Sequence, residues 1–322
     1  MRDFMRKNAL ITGAASGIGR AIALALAREG ANLWLVDKDE MGLTDTAEMA
    51  KKFEGTVKST VCDLAEPTQV TTCVEAVLST WGRLNILVNN AGVLQYGRTH
   101  QISTQDWDRT IATNLLAPIQ LVRELLPILA IQDEAHILNV CSFVGLAPFR
   151  KIGAYQTSKF GLVGFTQALR SDYTRHGLGV TALCPGFVRT PMLAKLEQQT
   201  SRHVPAWMST TAEEVARTAL AAMRNNRGLV VITPVAKMAW WLTRLFPGMM
   251  DRLISGAWQR KGKVTAEELQ LLENDRVRAA VAVGARSQTR HRTAHSVLQT
   301  TLNPAIHESV PREPEVPTAN PE

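Results

Sequence analysis

Short apolar runs alternate with longer helical patterns through the first 235 residues of this 322-residue chain. The runs are apolar along their whole length instead of at every second position, which is typical of parallel strands covered on both faces. Seven strands are predicted, at residues 9–11, 33–36, 56–61, 84–88, 136–140, 179–183 and 229–232. The alternation therefore predicts an α/β fold with a doubly wound, seven-stranded parallel sheet, in which ligands bind at the carboxyl ends of the strands.

The ends of the predicted helices carry characteristic residues. Gly30 is expected to end the first helix, and Pro67 stands where a first helical turn accepts proline. Gly82 closes that same helix. Thr210 and Glu213 form a capping-box pattern at the start of the helix before the last strand.

The composition excludes several classes of protein. With 45% apolar and 20% charged residues the chain can bury a sizeable core, which rules out wholesale disorder. Its four cysteines lack metal-ligand spacing and are too few for a disulfide framework, so reduced thiols, no metal and a cytoplasmic location are expected. The first seven residues lack the apolar region of a secretory signal, and no uncharged apolar run is long enough to span a bilayer.

A glycine-rich stretch follows the first predicted strand. Glycines at this point permit a tight turn and let the backbone approach a pyrophosphate, which then lies at the N-terminus of the next helix. A simple strand-to-helix turn is the alternative, but the place directly after the first strand favours a dinucleotide. The residues expected to contact it here are Thr12, Gly13, Ser16, Gly17, Ile18 and Gly19.

Asp37 ends the second predicted strand, 20 residues after Gly17. A carboxylate at this point accepts hydrogen bonds from the adenosine ribose hydroxyls and repels a 2′-phosphate, which favours NAD over NADP. Lys38 follows directly and softens that preference. A turn residue at a strand end is the alternative interpretation of Asp37.

Further motifs follow in a fixed order along the chain. They are Asp63, Asn89-Asn90-Ala91-Gly92, Asn114, Ser142, Tyr155 with Lys159, and Pro185-Gly186 leading to Thr190. With this ordered set the chain resembles the classical short-chain dehydrogenase/reductase family over residues 6–235. The resemblance implies a Rossmann-type oxidoreductase that transfers hydride between NAD(H) and an alcohol or carbonyl carbon.

The resemblance also implies roles for four side chains. Tyr155 would be the general acid or base, and Lys159, four residues along the same predicted helix, is expected to lower the pKa of its phenol. Ser142 would hold and polarise the substrate oxygen. Asn114 would position a water in a proton relay behind Lys159.

The same resemblance places residues around the cofactor. Lys159 would also bond the nicotinamide ribose, Thr190 the carboxamide, and Asp63 would lie near the adenine. Related enzymes that use NADP often carry Arg or Lys where this chain has Ser16, which again favours NAD. The other positions expected in the cofactor cleft are Leu64, Asn90, Ala91, Gly92, Tyr155, Pro185, Gly186 and Val188.

Apolar residues surround the expected catalytic groups and predict a hydrophobic alcohol or ketone as substrate. Phe143 and Phe187 are assigned to the substrate together with Ser142 and Tyr155. Further candidates for the pocket are Leu94, Val144, Phe149, Met192 and Trp207. Ordinary core packing is the alternative for several members of the whole set. Residues 191–209 are predicted to be a mobile loop that closes over the substrate.

The basic charge of the chain is concentrated near the end of the predicted fold. The net charge is +7, and residues 201–260 hold eight basic and three acidic side chains, a balance of +5, with four of the seven tryptophans. Within residues 235–258 an apolar row falls at helical spacing, and Pro247 is expected to break or kink that helix. The row consists of Met238, Trp241, Leu242, Leu245 and Met249.

Aromatic residues beside basic charge are typical of a segment that lies on a membrane surface. A helix packed on the pocket or in a dimer interface fits residues 235–258 equally well. A homo-dimer or homo-tetramer is expected from the resemblance. Nucleic-acid binding is not expected, because no recognised module occurs.

Three regions are predicted along the chain: an oxidoreductase domain at 1–234, an amphipathic helical extension at 235–284, and a disordered tail at 285–322. Thr265 and Glu268 predict the start of a helix within the extension, and five prolines fall in the last 19 residues. Two alternative functions are also consistent with the sequence. They are an NADP-dependent carbonyl reductase and a non-catalytic dinucleotide-binding sensor or scaffold.

Overall fold

The computed structural model describes residues 1, 3–173, 177–249, 252 and 270. Seven parallel strands form one sheet, in the order β3-β2-β1-β4-β5-β6-β9. The strands are β1 Asn8–Thr12, β2 Asn32–Asp37, β3 Val57–Val61, β4 Ile86–Asn89, β5 Ala135–Val140, β6 Leu178–Cys184 and β9 Leu229–Val231. The predicted doubly wound sheet of seven parallel strands is confirmed.

Helices cover both faces of this sheet. They are α1 Gly17–Arg28, α2 Glu40–Ala50, α3 Pro67–Trp81, α4 Thr104–Ile111, α5 Ala117–Ala130, α6 Gly153–Tyr173, α7 Pro191–Thr200, α8 Ala212–Arg224 and α9 Pro234–Leu245. One buried cluster includes side chains of α1, α2 and α8, and another includes those of α3 and α5. The apolar strands lie between these two clusters, which explains why their sequences do not alternate.

Several predicted helix ends agree with the structure. Pro67 is the first residue of α3, and Gly82 follows its end in the left-handed conformation at φ 60°. The predicted capping box before the last strand is wrong by one residue, because Thr211 is the N-cap of α8 and accepts from the Glu214 amide. Thr210 instead donates its hydroxyl to the Glu214 carboxylate.

The segment between β6 and α8 differs from the predicted loop. Residues 191–200 form helix α7, and two short strands, β7 Phe187–Arg189 and β8 Ser209–Thr211, pair in parallel beside the main sheet. Three-residue strands are too short to show a period in the sequence. Strand β3 also departs from expectation, because it lies at the sheet edge and is partly exposed.

The described part of the C-terminal extension begins with α9. This helix ends at Leu245, two residues before Pro247, as the proline predicts. The helix predicted from Thr265 and the tail from residue 285 lie outside the described residues. Within the described part of the chain, every helix is too short or too polar to span a bilayer.

Candidate active site

A cleft of about 310 Å³ opens at the carboxyl ends of the strands. It contains most of the residues predicted for the site. The predicted residues that line it are Gly13, Ser16, Gly17, Ile18, Asp37, Asp63, Leu64, Asn90, Ala91, Gly92, Ser142, Phe143, Tyr155, Lys159, Pro185, Gly186, Phe187, Val188 and Thr190. Thr12, Gly19 and Asn114 are absent from this wall.

The glycine-rich turn joins β1 to α1 at one end of the cleft. Gly13 has a φ of 67°, and a Cβ there would lie 2.6 Å from the Asn90 side-chain nitrogen and 2.7 Å from the Ala91 Cα. Ser16 is the N-cap of α1, but its side chain accepts no hydrogen bond from the helix. The first amides of α1 therefore have no side-chain cap, and such a helix end suits a phosphate group.

Thr12 and Asn90 stabilise the glycine-rich turn through hydrogen bonds to its backbone and to the residues after β4. The Thr12 hydroxyl donates to the Val88 carbonyl and accepts from the amides of Asn90 and Ala91. The Asn90 side chain in turn donates to the carbonyls of Thr12 and Gly13. Thr12 therefore supports the turn from beneath instead of facing the cleft.

The Asp37 carboxylate is fixed at the end of β2. One of its oxygens accepts from the Ala15 amide at 3.0 Å, and the other accepts from the amides of Lys38 and Asp39 at 2.8 and 3.1 Å. It thus faces the cleft beside the glycine-rich turn in a single orientation. A carboxylate has about four acceptor sites, and these three amides leave one of them for a ribose hydroxyl.

Asp63 forms an ion pair that the sequence did not suggest. Its carboxylate lies 2.5 Å from Arg109 of α4 and also accepts from the Ala65 amide. The two residues are 46 positions apart, and only the fold brings them together. Arg109 thereby fixes the carboxylate expected near the adenine.

Asn114 lies behind the cleft in a π-helical turn, Ala112–Leu116, between α4 and α5. It is fully buried, and its amide exchanges two hydrogen bonds of 2.8 Å with the Val93 backbone and donates to the Ser158 hydroxyl. These bonds tie the loop after β4 to α6. Its side chain is therefore committed to holding the site together, and a role in a water relay stays a prediction.

Ser142, Tyr155 and Lys159 converge at the other end of the cleft. Ser142 follows β5, and its hydroxyl is near enough to the Tyr155 phenol to favour the phenolate by hydrogen bonding, while the Lys159 ammonium lies 5.7 Å from the centre of the Tyr155 ring. Burial raises the pKa of Tyr155 to about 12, and the Ser142 hydrogen bond opposes that rise. The net direction is opposite to the lowering predicted for Lys159, because desolvation of the buried phenol is the largest contribution.

Lys159 is itself almost completely buried. Its ammonium donates to the Val140 carbonyl at 2.8 Å, and burial lowers its pKa. A buried cation with one backbone acceptor retains two further donors. Lys159 thus combines a desolvated charge with free hydrogen-bonding capacity at the cleft wall.

Three phenylalanine rings form the apolar wall beside Ser142. Phe143, Phe149 and Phe187 contact one another edge to face, with ring centres 5.5 to 6.2 Å apart. Leu94, Val144 and Met192 also line the cleft, as predicted. Trp207 does not line it: the side chain is 74% exposed on the short turn before β8, so its predicted place in the pocket is wrong.

Comparison with known proteins agrees with this site. The family model described as short chain dehydrogenase matches residues 7–201, more than half of the chain. The chain belongs to the short-chain dehydrogenase/reductase family. It is therefore an NAD(P)-dependent oxidoreductase that acts on alcohol or carbonyl groups.

Individual relatives differ in cofactor and substrate. The chain is 33% identical to D-beta-hydroxybutyrate dehydrogenase of Rhizobium meliloti, over 74% of this chain and 92% of the relative. A short chain dehydrogenase/reductase from Burkholderia phymatum in complex with NAD has a TM-score of 0.70 and 29% identity, covering 77% of this chain and 96% of its own. L-sorbose reductase from Gluconobacter frateurii, complexed with NADPH and L-sorbose, has a TM-score of 0.65 and 26% identity, covering 72% and 96%.

Some residues of the cleft wall were missed from the sequence. Leu193 and Leu196 of α7 line the cleft, and their spacing of three residues was a helical signal inside the predicted loop. Thr113 and Cys141 also line it, next to residues that the motifs did identify. Arg109 could not have been found, because its pairing with Asp63 depends on the tertiary fold.

Proposed function

We propose that this enzyme transfers hydride between NAD(H) and a hydrophobic alcohol or ketone, with Tyr155 as the general acid or base. The observation that carries the proposal is one cleft with a dinucleotide-type turn at one end and Ser142, Tyr155 and Lys159 at the other. Reduction of apolar ketones, followed through the nicotinamide absorbance with NADH and NADPH in parallel, tests it. Absence of turnover across such a panel would refute the substrate assignment.

The side chains of the site have separate roles in the proposed reaction. The nicotinamide ring supplies or accepts the hydride when it is bound. At neutral pH a phenol whose pKa is about 12 is protonated, so Tyr155 is ready to donate a proton to the oxygen of a ketone undergoing reduction. Ser142 would hold that oxygen, and Lys159 would stabilise the phenolate left behind.

The polar groups of the site support this assignment of the substrate. Ser142 and Tyr155 lie beside the three-phenylalanine wall, and the neighbouring lining residues Leu94, Val144 and Ile152 are apolar. A substrate with one oxygen at the reacting carbon and an apolar body satisfies such a wall. A charged substrate would lose hydration there without a partner among these residues.

NAD is the proposed cofactor, on the strength of Asp37. Replacing Asp37 with Ala should lower kcat/KM for NAD about 10- to 100-fold, because hydrogen bonds to a charged group are lost. It should also relax the discrimination against NADP, since the carboxylate no longer repels a 2′-phosphate. Steady-state kinetics with both cofactors measures the two effects.

The variant Asp37→Asn is the matched control, because it keeps the shape and removes the charge. It should relax discrimination against NADP, and its single oxygen still accepts either from the Ala15 amide or from the amides of Lys38 and Asp39, which bond different oxygens of Asp37. A ratio of NAD to NADP turnover that stays unchanged in both variants would count against the ribose role of Asp37.

We further propose that the outer face of α9 contacts an anionic membrane surface. Met238, Trp241 and Leu245 are 59%, 51% and 60% exposed on one side of this helix, and Phe246 and Met249 continue the apolar surface. Residues 229–249 contain the basic Lys237 and Arg244 and no acidic residue. Exposed apolar side chains with basic neighbours suit the interface of an anionic bilayer.

Vesicle flotation with the full-length protein tests this contact. Anionic vesicles should carry the protein upward at low salt, and zwitterionic vesicles should carry much less, because the basic side chains then gain nothing. Leu245→Asp should keep the protein in the aqueous fraction. Ile131→Asp, a change of a residue that is 75% exposed at the end of α5, should float like the unchanged protein.

Retention of the unchanged protein in the aqueous fraction with both vesicle types would exclude the membrane contact.

The four cysteines are buried and unpaired, which supports a reducing, cytoplasmic location. A homo-dimer or homo-tetramer is part of the same proposal, and the oligomeric number is measurable by light scattering.

A further inference from the structure

Helix α9 lies beyond the region that the family model covers. That match ends at residue 201, whereas α9 begins at Pro234 after the edge strand β9. The two sides of the helix differ sharply in exposure. Ala236 is 2% exposed and Trp240 is partly buried, whereas Met238 and Trp241 are mostly open to solvent.

The inner side of α9 packs onto a buried cluster that reaches the active site. Ala236 belongs to this cluster together with Cys141, Cys184 and Val231, and Trp240 packs against it. Cys141 is the residue before Ser142 and lines the cleft. The cluster thus connects α9 to the strand ends that carry the catalytic hydroxyl.

Phe143 rests on the same cluster as Trp240. One side of Phe143 packs against these buried residues, and the ring also contacts Phe149 and Phe187 in the cleft wall. A side chain that supports the cluster from the α9 side therefore also affects the position of the wall, because tightly packed interiors transmit displacements.

The first turn of α9 is held close to another part of the cleft. Thr233, the N-cap of α9, has a φ of 78° and a ψ of 139°, a conformation that a β-branched residue rarely adopts. Its hydroxyl accepts from the Ala236 amide at 3.3 Å. It also packs so closely on Gly186 that a Cβ there would collide with it.

Strained backbone persists only where the surrounding structure enforces it. Here the enforcing contacts are the N-cap of α9 on one side and the Gly186 turn on the other. Gly186 and Phe187 both line the cleft. Helix α9 is therefore attached to the site at two points, through Thr233 at its start and through Trp240 about two turns later.

We propose that Trp240 is a positioning residue of the substrate pocket, which acts through the buried cluster and Phe143. The proposal rests on the proposed function, in which this wall receives a hydrophobic alcohol or ketone. The C-terminal extension then helps to shape the pocket, and substrate preference depends on a residue beyond the segment that the family model matches.

Kinetics of Trp240 variants test this role. Trp240→Ala should raise KM for an apolar ketone about tenfold, because a displaced wall loses contacts with the substrate. The value of kcat should stay within about threefold, since Tyr155 and Ser142 are carried by α6 and β5. The dissociation constant of NADH, measured by its fluorescence, should change less than about twofold because the dinucleotide turn lies at the other end of the cleft. Trp240→Phe, which keeps an aromatic ring, should have a KM close to that of the unchanged enzyme.

Trp241 is the matched control. It is the next residue, of the same type, and its ring lies 5.2 Å from that of Trp240 on the exposed side of the helix. Trp241→Ala should leave KM and kcat within about twofold of the unchanged enzyme. If Trp240→Ala fails to fold, Trp240→Leu replaces it, with the same direction of change expected.

The outcomes separate the inference from the function on which it rests. An active parent enzyme whose KM is equally unaffected by changes at Trp240 and Trp241 overturns the positioning role alone. A rise in the NADH dissociation constant as large as the rise in KM also overturns it, because it indicates general loosening. An inactive parent enzyme refutes the proposed function, and the inference falls with it.

Discussion

Tyr155→Phe should lower turnover about 10²- to 10⁴-fold, the range that a lost general acid or base usually accounts for. The substitution removes one hydroxyl and keeps the ring, which is 9% exposed in a small buried cluster with Val144 and Ile152. Without that hydroxyl, protonation of the substrate oxygen must come from water. Single-turnover kinetics with an apolar ketone and excess NADH measures the loss.

Cofactor binding should survive the same substitution. Asp37 and the glycine-rich turn are unchanged, so the NADH dissociation constant should change less than about threefold, which corresponds to the loss of at most one weak hydrogen bond.

The contribution of Tyr155 also predicts how the rate depends on pH. Reduction should be independent of pH around neutrality, because a phenol with a pKa of about 12 stays protonated. A Phe variant with turnover near that of the parent would contradict the acid/base assignment.

Lys159→Met should lower turnover about 10²-fold or more and at the same time raise the thermal stability of the protein. Lys159 is 3% exposed, and burial lowers its pKa, so desolvation of the charge destabilises the folded state. Methionine fills a similar volume without that penalty. Activity falls because no cation remains to stabilise the Tyr155 phenolate or to bond the nicotinamide ribose.

The pH dependence of the stability change gives a second test of Lys159. A lysine whose pKa is lower in the folded than in the unfolded state destabilises the protein at every pH at which the unfolded chain keeps it protonated, because folding then buries or removes that charge. This loss of stability fades as the pH rises towards the ordinary lysine pKa of about 10.4. The gain in Tm for Lys159→Met should therefore be largest at neutral pH and shrink in alkaline solution. A lower Tm at neutral pH would contradict this account. Lys151→Met, at a partly buried residue outside the cleft wall, is the matched control for loss of one lysine.

The sheet and most of the cofactor cleft were predictable because their signals are local. Most of the predicted runs coincide with strands, and the glycine-rich turn, Asp37 and Ser142 follow strands closely, so topology gathers them at one edge of the sheet. Tyr155 and Lys159 lie on a helix instead, where their spacing of four residues places them on one face. The roles of these residues remain predictions that the variants above test.

Features that depend on burial were not predictable from the sequence. Spacing placed Lys159 beside Tyr155, but the direction of the phenol pKa depends on how completely both groups are desolvated. Phe149 and Trp207 are both aromatic, and only the fold shows that Phe149 lines the cleft whereas Trp207 is exposed outside it. The contact of Thr233 with Gly186 joins residues 47 positions apart and has no local signal.

Transfer of deuterium to a neutral apolar ketone from NADH in which both hydrogens at the nicotinamide C4 position are replaced by deuterium tests the central claim most directly. Mass spectrometry of the alcohol formed by the full-length enzyme should locate one deuterium on the carbon that bears the hydroxyl, with Tyr155→Phe as the background. Incorporation that is absent from that carbon, or equal in the parent and Tyr155→Phe proteins, would contradict hydride transfer in this cleft.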